Sequence, residues 1–384
     1  HHHLLVAAGV DRVITMDLHA NQIQGYFDIP VDHMIGLPTL TEYFLKKEME
    51  DVVIVSPDHG SVPRARNMAE RGTKAVLVLD EIQKVVQWSQ TVKRLWDEDS
   101  WNDVSLLVIL SGSSSLLIGS GLSESLAGRY ELLRSTHWSL SEMSEAFGYN
   151  LSDYLEFGGY PGAAILKSDE DRWREYMRDS IVESTISRDV LQMENVRKPA
   201  LMRALFELGA QYSAQELSYR KILGQLDDKG NTDTIKHYLD LLSGAGMISG
   251  LQKFDDKPIK AKASSPRLMV HDPALMTSMW HGKGSLLEDP DLYGHLVETA
   301  VGAYLIARSA IDGFDLYWWR DGDLEVDFVL RQARDITAIE VKSGRVGKNG
   351  MGAFCKAYPK ASPVIVGDRN TPLEDFLRGK VPLF

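Results

Sequence analysis

Two adjacent acids, Asp80 and Glu81, follow an apolar stretch that predicts a β-strand over residues 77–79. In nucleoside triphosphate hydrolysis, one such carboxylate holds Mg²⁺ through water and its neighbour orients the attacking water. This chemistry also needs a phosphate-binding loop of the pattern G-x-x-x-x-G-K-[ST] earlier in the chain. The Gly-Lys pairs of this sequence all lie downstream of the acids, and none is followed by Ser or Thr; they begin at Gly282, Gly347 and Gly379. The acid pair is therefore present without its phosphate-binding loop.

Polar residues also follow two predicted strands nearer the N-terminus. The strand over residues 12–16 leads into Asp17 and His19, and the strand over residues 52–55 leads into Asp58. Ligands of open α/β sheets lie off the carboxyl ends of the strands, and carboxylate oxygens suit a hydrated Mg²⁺ ion. The alternative is that these Asp and His residues only cap loops and helix starts.

The stretch "DLHANQIQGYFDIPVD" (residues 17–32) resembles the signature of ribose-phosphate pyrophosphokinase, and "SPDHGSVPRARNMAER" (residues 56–71) resembles the next block of that family. The resemblance covers residues 4–71 and implies an Mg-ATP site that includes His19 and Asp58. The sequence departs from the family at His59 and Ser61, and it has no counterpart of the loop that holds the sugar phosphate. Because group transfer needs that loop to align the reactants, we expect no pyrophosphokinase activity from this fragment.

Residues 73–150 contain two further candidate site residues. A second predicted strand, in "VSLLVILSGSSSLLI", leads into Ser113, which is placed either to sense a γ-phosphate or to begin an ordinary strand-to-helix turn. Arg129 follows the small residues Ala127 and Gly128. An arginine there either neutralises charge in a phosphoryl-transfer transition state or forms a surface salt bridge.

Four segments together resemble AAA+-type P-loop ATPases that carry an uncharacterised C-terminal domain: "LVLDEIQKV", "LSGSSSLL", "SLAGRYE" and "FGGYPGA". The resemblance runs from residue 74 to the C-terminus. It implies Asp80 as the ligand of Mg²⁺-bound water, Glu81 as the catalytic base, Ser113 as the sensor and Arg129 as a phosphate-facing arginine. The pyrophosphokinase-like fragment stands where that family has its first strand, P-loop and first helix. We expect it to donate strands beside residues 77–79, and we expect ATP binding to be weak or absent.

Residues 151–262 have long helical patterns. In "NTDTIKHYLDLLSGAGMISGLQKF", Asn231 or Thr232 is the expected N-cap, and a Gly ends the helix. The face of Ile235, Leu239 and Leu242 is apolar, and short strands follow. This order predicts a winged helix, which the AAA+ resemblance also implies. Its exposed face mixes acids with Lys and His, which favours packing or protein contact over DNA binding.

The C-terminal part carries acids in an order that can hold a metal. "LYWWRDGDLEVDFVL" predicts a hairpin that includes Asp327, and "ITAIEVKSG" predicts a strand with Glu340 and Lys342 on one face. Glu298 lies in a predicted helix. This is the layout of PD-(D/E)XK nucleases, in which Glu298, Asp327 and Glu340 would bind Mg²⁺ or Mn²⁺ and Lys342 would assist the attacking water. The alternative is a cross-strand acid–lysine pair on a solvated face, worth under about 1 kcal/mol.

The composition is that of a soluble protein with 384 residues, 44% of them hydrophobic and 25% charged. The net charge of −12 argues against unspecific binding to a phosphate backbone. The single cysteine, Cys355, excludes an internal disulfide and indicates a cytoplasmic protein. His1–His3 resembles the remnant of a purification tag and contributes nothing to the predicted fold. We expect no membrane span; candidate partners are nucleic acid, through the C-terminal domain, and other proteins, and oligomerisation is left open.

The sequence therefore predicts an α/β protein in four parts. Residues 1–72 form a phosphoribosyltransferase-like α/β fragment, and residues 73–150 form an incomplete AAA+-like parallel sheet. Residues 151–262 form a helical, winged-helix-like region, and residues 263–384 form an α+β restriction-nuclease-like domain. Three functions stand beside each other: an ATPase–nuclease-like protein with an incomplete ATPase, a pyrophosphokinase-related protein, and a noncatalytic interaction or DNA-binding scaffold.

Overall fold

The computed structural model describes most of the chain beyond residue 125 and separate stretches before it. The described residues are 9–16, 27, 29–34, 42, 46, 53–56, 76–79, 82, 85, 87–101, 107–112, 125–190, 196–226, 231–255, 264–282, 285–343 and 350–384. The chain divides into two compact units, His1–Tyr130 and Glu131–Phe384. The finer division into four parts stays a prediction.

The described part of the first unit is built from short parallel strands and one long helix. Its elements are β1 (Val13–Met16), β2 (Val31–Met34), β3 (Val53–Ser56), β4 (Val76–Leu79), helix α1 (Trp88–Trp101) and β5 (Leu107–Leu110). β1 pairs in parallel with β2, and β3, β4 and β5 form a parallel sheet in that order. Runs of Val, Ile and Leu are typical of parallel strands, which are commonly covered on both faces.

The strand β3, from the pyrophosphokinase-like fragment, lies directly beside the strand that precedes the acid pair. Val53 of β3 is in register with Val76 of β4, and Ser56 is in register with Leu79. The expectation that this fragment donates a strand beside residues 77–79 is confirmed. The register also brings the carboxyl ends of β3, β4 and β5 to one edge of the sheet, because Leu79 pairs with Leu110.

A small apolar cluster holds these strands and α1 together. Leu79, Ile82, Trp88 and Leu126 are buried in it. The amide of Ser111 donates to the carbonyl of Leu79 at 2.9 Å, and the amide of Ile82 donates to the carbonyl of Ser111 at 3.1 Å. The residues on both sides of Asp80 and Glu81 are therefore tied to the end of β5.

The second unit begins with a run of helices. They are α2 (Leu140–Phe147), α3 (Leu151–Phe157), α4 (Pro161–Ala164), α5 (Glu170–Glu175), the π-helical segments Tyr176–Glu183 and Thr185–Val190, α6 (Pro199–Gln211), α7 (Tyr219–Gln225) and α8 (Thr232–Gly244). Capping boxes start α2 and α3, in which the N-cap side chain and the acid three residues later bond each other's backbone amides. The helix predicted from residue 231 is confirmed as α8, with Asn231 as its N-cap and the predicted apolar face buried.

A mixed sheet runs through the rest of the second unit. Its strands are β6 (Gln215–Glu216), β7 (Ile248–Lys253), β8 (Arg267–Val270), β9 (Asp315–Asp321), β10 (Leu324–Gln332), β11 (Asp335–Val341) and β12 (Ser362–Val366). Within the described residues, the strand order is β12-β11-β10-β9-β7-β8-β6. β11 pairs in parallel with β12 and β7 with β9, and the other pairs are antiparallel.

The remaining helices of the second unit frame this sheet. They are α9 (Pro273–Thr277), α10 (Pro290–Asp312), α11 (Gly350–Ala357) and α12 (Leu373–Leu377). Glu298 lies on α10, Asp327 on β10 and Glu340 on β11, and the predicted hairpin is confirmed because Asp321 pairs with Leu324. No helix in the described stretches is long and apolar enough to cross a membrane.

The glycines of "FGGYPGA" are required by a close contact with the N-cap of α9. Asp272 is buried, and its carboxylate accepts from the amides of Gly159 and Ala274, both at 2.8 Å. A Cβ on Gly159 would overlap the carbonyl oxygen of Trp138, and a Cβ on Gly158 would overlap the Asp272 carboxylate. The two glycines therefore let the chain after α3 pass close enough to bond Asp272.

We predict that Gly159→Ala destabilises the second unit by about 2–4 kcal/mol, because the new methyl group forces the backbone away from Asp272 and Trp138. Gly224→Ala is the matched control, because Gly224 lies in α7 with nothing within 4 Å of an added Cβ. That change should be neutral or stabilising by up to about 1 kcal/mol. Urea unfolding followed by circular dichroism measures both, and equal effects of the two changes would contradict the close contact.

Candidate functional site

The polar centre of the second unit is a buried arginine at the start of β8. Arg267 is 5% exposed. Its Nη2 pairs with Glu325 and lies 4.0 Å from Oε2 of Glu298, and its Nη1 lies 3.5 Å from Oδ1 of Asp327. Nε donates to the carbonyl of Ala214 and Nη1 to the carbonyl of Asp327, both at 3.0 Å. One guanidinium thus contacts acidic side chains from both α10 and β10.

The neighbouring strands place this side chain. Every residue of β8 is buried, and Arg267 is in register with Leu251 of β7 and Glu216 of β6. A charge in such a position is tolerated only if it is paired and its donors are bonded. Because a guanidinium presents its donors in a planar fork, it satisfies backbone carbonyls and carboxylates at the same time.

Asp327 is turned toward β11 by an irregularity in its own strand. The pairing of β10 with β9 shifts register between Val326 and Val329, and such bulges re-aim side chains. The amide of Val341 donates to Oδ2 of Asp327 at 2.8 Å. Burial raises the pKa of Asp327 well above the usual range; Arg267 opposes this effect, while Glu298 adds to it.

Glu340 and Lys342 lie on one face of β11 and its extension, as the period of the strand predicts, since their side chains form an ion pair. Glu340 is buried, whereas the side chain of Lys342 is 29% exposed. The pair flanks Val341, whose amide bonds Asp327. Asp327 is therefore bonded to the E-x-K strand, while Glu298 on α10 lies 4.0 Å from Arg267.

A second arginine extends the network toward the surface. Arg320 on β9 pairs with Glu216 and with Glu325. The guanidinium carbons of Arg320 and Arg267 lie 5.5 and 6.0 Å from the ring centroid of Trp318. The indole of Trp318 donates to the carbonyl of Leu251 at 3.1 Å, so the ring that both cations face is itself fixed.

The predicted metal ligands are held by cations of the chain itself. Arg267 lies among Glu298, Glu325 and Asp327, and Lys342 takes an oxygen of Glu340. In the part of the chain that the structure describes, no three His, Cys, Asp or Glu side chains are placed to hold a metal ion. The residues therefore do not fit Mg²⁺ or Mn²⁺ as they stand, and the assignment of Glu298, Asp327 and Glu340 as metal ligands stays a prediction.

The residues predicted for the ATP sites lie mostly outside the described stretches: His19, Asp58, Asp80, Glu81 and Ser113. Arg129 is described and exposed. Its Nε is 3.9 Å from Oδ1 of Asp97, and its guanidinium lies 5.2 Å from the ring centroid of Trp96. These contacts fit the surface ion pair, and a role of Arg129 at a phosphate stays a prediction.

Two residues of the polar centre, Arg267 and Glu325, are absent from the sequence-based predictions. The signal for Arg267 is a lone Arg at the head of the apolar run "RLMV", which a fully buried strand tolerates only with buried partners. Glu325 lies two residues before Asp327 in the predicted hairpin. Their pairing could not be read from the sequence, because it depends on which strands are neighbours.

A further buried polar group surrounds Asp272. Burial raises the pKa of Asp272 to about 7. Burial lowers the pKa of His271 to about 3 and that of His137 to about 4. The Nε2 of His271 is 2.7 Å from the hydroxyl of Ser249, and the Nε2 of His137 is 2.9 Å from the hydroxyl of Tyr160. Both imidazoles are therefore neutral hydrogen-bonding groups at pH 7.

Three family models match consecutive parts of the chain. An AAA domain matches residues 38–144, a domain of unknown function (DUF8612) matches residues 148–286, and a domain of unknown function (DUF4143) matches residues 293–380. The AAA match begins inside the pyrophosphokinase-like stretch and includes β3, β4 and β5. Arg267 falls within the second match, whereas Glu298, Glu325 and Asp327 fall within the third.

Curated relatives match a shorter part of the chain. It is 56% identical over 78 residues to the ribose-phosphate pyrophosphokinase of Bacillus caldolyticus and 60% identical over 79 residues to that of Caldanaerobacter subterraneus subsp. tengcongensis. Each match covers 20% of this chain and 25% of the relative, so the chain spans about a quarter of these proteins. The crystal structure of phosphoribosylpyrophosphate synthetase from Mycobacterium smegmatis is 31% identical, with a TM-score of 0.18, and covers 32% of this chain and 49% of that one.

The composite character predicted from the motifs is confirmed. The chain combines a segment similar to ribose-phosphate pyrophosphokinase with segments similar to an AAA domain and to a domain of unknown function (DUF4143).

We predict that Arg267→Met destabilises the second unit by about 3–5 kcal/mol, because it leaves partly buried carboxylates and two carbonyls without their partner. Arg331→Met is the matched control. Its Nη2 lies 3.0 Å from Asp315, but these side chains are 41% and 61% exposed, so the loss should be under about 1 kcal/mol. The midpoints of urea unfolding compare the stability of the two variants. A loss of stability in Arg267→Met no larger than in Arg331→Met would contradict the central role of Arg267.

The pKa of Asp272 predicts a pH dependence of stability. Because it rises from 3.8 to about 7 on folding, the native state binds this proton more tightly, and the stabilisation is full below pH 4 and is lost as the pH rises to 7. The stability advantage of the wild type over Asp272→Asn should therefore shrink between pH 4 and 7, by up to about 4 kcal/mol. Urea unfolding at a series of pH values measures this difference, and a difference that stays constant between pH 4 and 7 would rule out the shift.

Proposed function

We propose that this chain is an AAA-related protein with a nuclease-like C-terminal domain, and that it acts as a noncatalytic interaction module. The observation that carries the proposal is the set of contacts of Arg267, whose guanidinium pairs with acids from α10 and β10. A divalent ion needs those carboxylate oxygens as ligands. While Arg267 occupies the space among them, cleavage through a bound metal has no site to proceed from.

The nuclease-like assignment is supported by the order of the key residues in the chain and by the bond between Asp327 and the E-x-K strand. Glu298 on a helix, Asp327 on a hairpin strand and Glu340-x-Lys342 on the next strand follow each other as a PD-(D/E)XK layout requires. The amide of Val341 bonds Asp327 between the two residues of the E-x-K pair. The layout thus supports a relationship to that fold, and the occupancy by Arg267 argues against its chemistry.

The proposed inability to hydrolyse ATP follows from the phosphate-binding loop that the sequence of the first unit lacks. Both resemblances imply ATP and Mg²⁺ as cofactors, and Asp80 and Glu81 remain in sequence. The lysine and backbone amides that bind the β- and γ-phosphates belong to a loop that this sequence lacks. The segment that contributes β3 beside β4 contains no G-x-x-x-x-G-K-[ST] pattern in its sequence.

We favour a protein over a nucleic acid as the partner. The winged-helix-like part, α8 with β7 and β8, exposes Asp233, His237 and Asp240 on its helix, and the chain carries a net charge of −12. Nucleic-acid recognition needs a basic face. We place this function in the cytoplasm, and self-association is one form that the interaction takes under this proposal.

Metal-dependent DNA cleavage is the second candidate, favoured by the order of Glu298, Asp327, Glu340 and Lys342. A pyrophosphokinase role is the third, favoured by the identity to that enzyme over 20% of the chain.

We predict that the purified chain neither binds ATP at micromolar concentrations by calorimetry nor forms phosphoribosyl diphosphate from ribose 5-phosphate. We also predict that linear DNA stays intact with Mn²⁺ and that Lys342→Ala behaves like the wild type. Cleavage by the wild type that disappears in Lys342→Ala would establish the second candidate. Micromolar ATP affinity would contradict the argument from the missing loop.

A further inference from the structure

We infer that the helical run from α5 and the segment after α9 form a binding site for an oxyanion of the phosphate type, with donors from Arg174, Arg178, Ser278 and Trp280. The inference goes beyond the proposed function, because these residues take no part in the contacts of Arg267. It rests on buried hydrogen-bond donors that have no acceptor among the described residues.

The unsatisfied donors cluster in two short segments of the second unit. Six buried side-chain polar atoms of the described residues lack a hydrogen-bond partner, and four of them belong to Trp173, Arg174, Ser278 and Trp280. All four are N–H or O–H groups: two indole nitrogens, the Nε of Arg174 and the Oγ of Ser278. The ring of Trp173 packs edge-on against Phe157 in the core, so the other three are the candidate ligand contacts. Unsatisfied buried groups of this kind commonly mark a bound ion or ligand, and a set made only of donors requires an acceptor.

Two arginines converge on the segment after α9. Arg174 and Arg178 lie four residues apart, so both side chains leave one face of the helical run. Nη1 of Arg174 and Nη2 of Arg178 donate to the same carbonyl, that of Trp280, at 3.3 and 3.4 Å. Nε of Arg178 donates to the carbonyl of Ser278 at 2.7 Å. Two guanidiniums are thus held against the two residues whose side-chain donors have no acceptor.

The chain neutralises the positive charge of these arginines only in part. Arg174 forms an ion pair with Glu170, whose side chain is 48% exposed. Within the described residues, the bonds of Arg178 go to carbonyls, which carry no net charge. The guanidinium fork matches the oxygens of carboxylates and phosphates, and such charge-assisted bonds are stronger than neutral ones. The site therefore favours an anion over a neutral acceptor.

The number of donors favours phosphate over a carboxylate. A carboxylate has two oxygens, whereas a phosphate group presents at least three acceptor oxygens. Nε of Arg174, Oγ of Ser278 and Nε1 of Trp280 are three donors on separate side chains, and Arg178 adds a further charge. A phosphate group offers an acceptor oxygen to each of the three.

The site has a buried part and an exposed part. Ser278 is fully buried, whereas the side chain of Arg174 is 20% exposed, and Arg178 and Trp280 are half-buried. The Trp280 ring lies against Gly282, where an added Cβ would be 2.0 Å from Cζ2 of the ring. Because the buried donors are closed to solvent, an entering anion displaces the half-buried indole of Trp280.

The test measures binding of inorganic phosphate to the full chain by calorimetry at constant ionic strength, with glycerol 3-phosphate as a monoester probe. We expect one site with a Kd of about 1 mM or below for both probes. Arg178→Gln should weaken binding about tenfold or more, because it removes a charged donor. The matched control is Arg172→Gln, which takes the same charge from an exposed arginine of α5 and should change the affinity less than about twofold.

Two conservative variants test the unsatisfied donors directly. Ser278→Ala removes the hydroxyl, and Trp280→Phe removes the indole N–H. Each should weaken phosphate binding about threefold to tenfold. Without phosphate, the unfolding temperature of each should stay the same or rise, because the lost donor had no acceptor. Phosphate should raise the unfolding temperature of the wild type more than that of either variant.

The outcomes decide the inference without reference to the nuclease or ATPase arguments. Absence of phosphate binding up to about 10 mM, or equal losses in Arg172→Gln and Arg178→Gln, would overturn it. If Arg178→Gln does not fold, Ser278→Ala and Trp280→Phe decide, and unchanged affinity in both counts against the site. Binding of glycerol 3-phosphate without binding of inorganic phosphate would place recognition on the glycerol and also overturn the inference. DNA cleavage or ATP binding bears only on the proposed function, so failures of the two are distinguishable.

Discussion

The second unit depends on one buried charge and the acids that neutralise it. Arg267 ties β8 to α10 and β10, and these elements come from two different family matches, residues 148–286 and 293–380. Hydrophobic burial alone would allow many packings of helices against a sheet, because it is non-directional. A planar guanidinium that bonds Ala214, Glu325 and Asp327 at the same time is compatible with few of these packings. The contacts of Arg267 therefore require this strand order, and the strand order in turn brings the partners of Arg267 together.

The contact between Asp272 and Gly159 likewise restricts how the helices at the start of the second unit pack. The carboxylate bonds an amide 113 residues away, and the two glycines before α4 have no side chains to block the approach. Here a buried acid accepts from fixed backbone amides, and burial raises its pKa. Asp327 has both the guanidinium of Arg267 and the amide of Val341 as partners, whereas Asp272 has two backbone amides.

Local features of the fold were predictable from the sequence. The N-cap and apolar face of α8, the hairpin of β9 and β10 and the pairing of Glu340 with Lys342 depend on residues that are near each other in the chain. The position of β3 beside β4 followed from the missing strand of the AAA-like segment. Arg267 was missed because its hydrogen-bond partners lie 53 to 60 residues away in the sequence. Their meeting depends on the parallel pairing of β7 with β9, which no local pattern encodes.

The first unit shows why a sheet is more tolerant of substitution than a catalytic site. A parallel sheet needs a strand of suitable apolar residues in register, and "VIVS" from a pyrophosphokinase-like segment meets that need beside "VLVL". Phosphate binding needs a particular loop with free amides and a lysine, which no neighbouring strand replaces. In the second unit, one arginine brings together Glu298, Glu325 and Asp327, and packing of apolar side chains alone would not select that arrangement. Packing is therefore enough to form a sheet, whereas a particular polar site depends on single groups that packing does not supply.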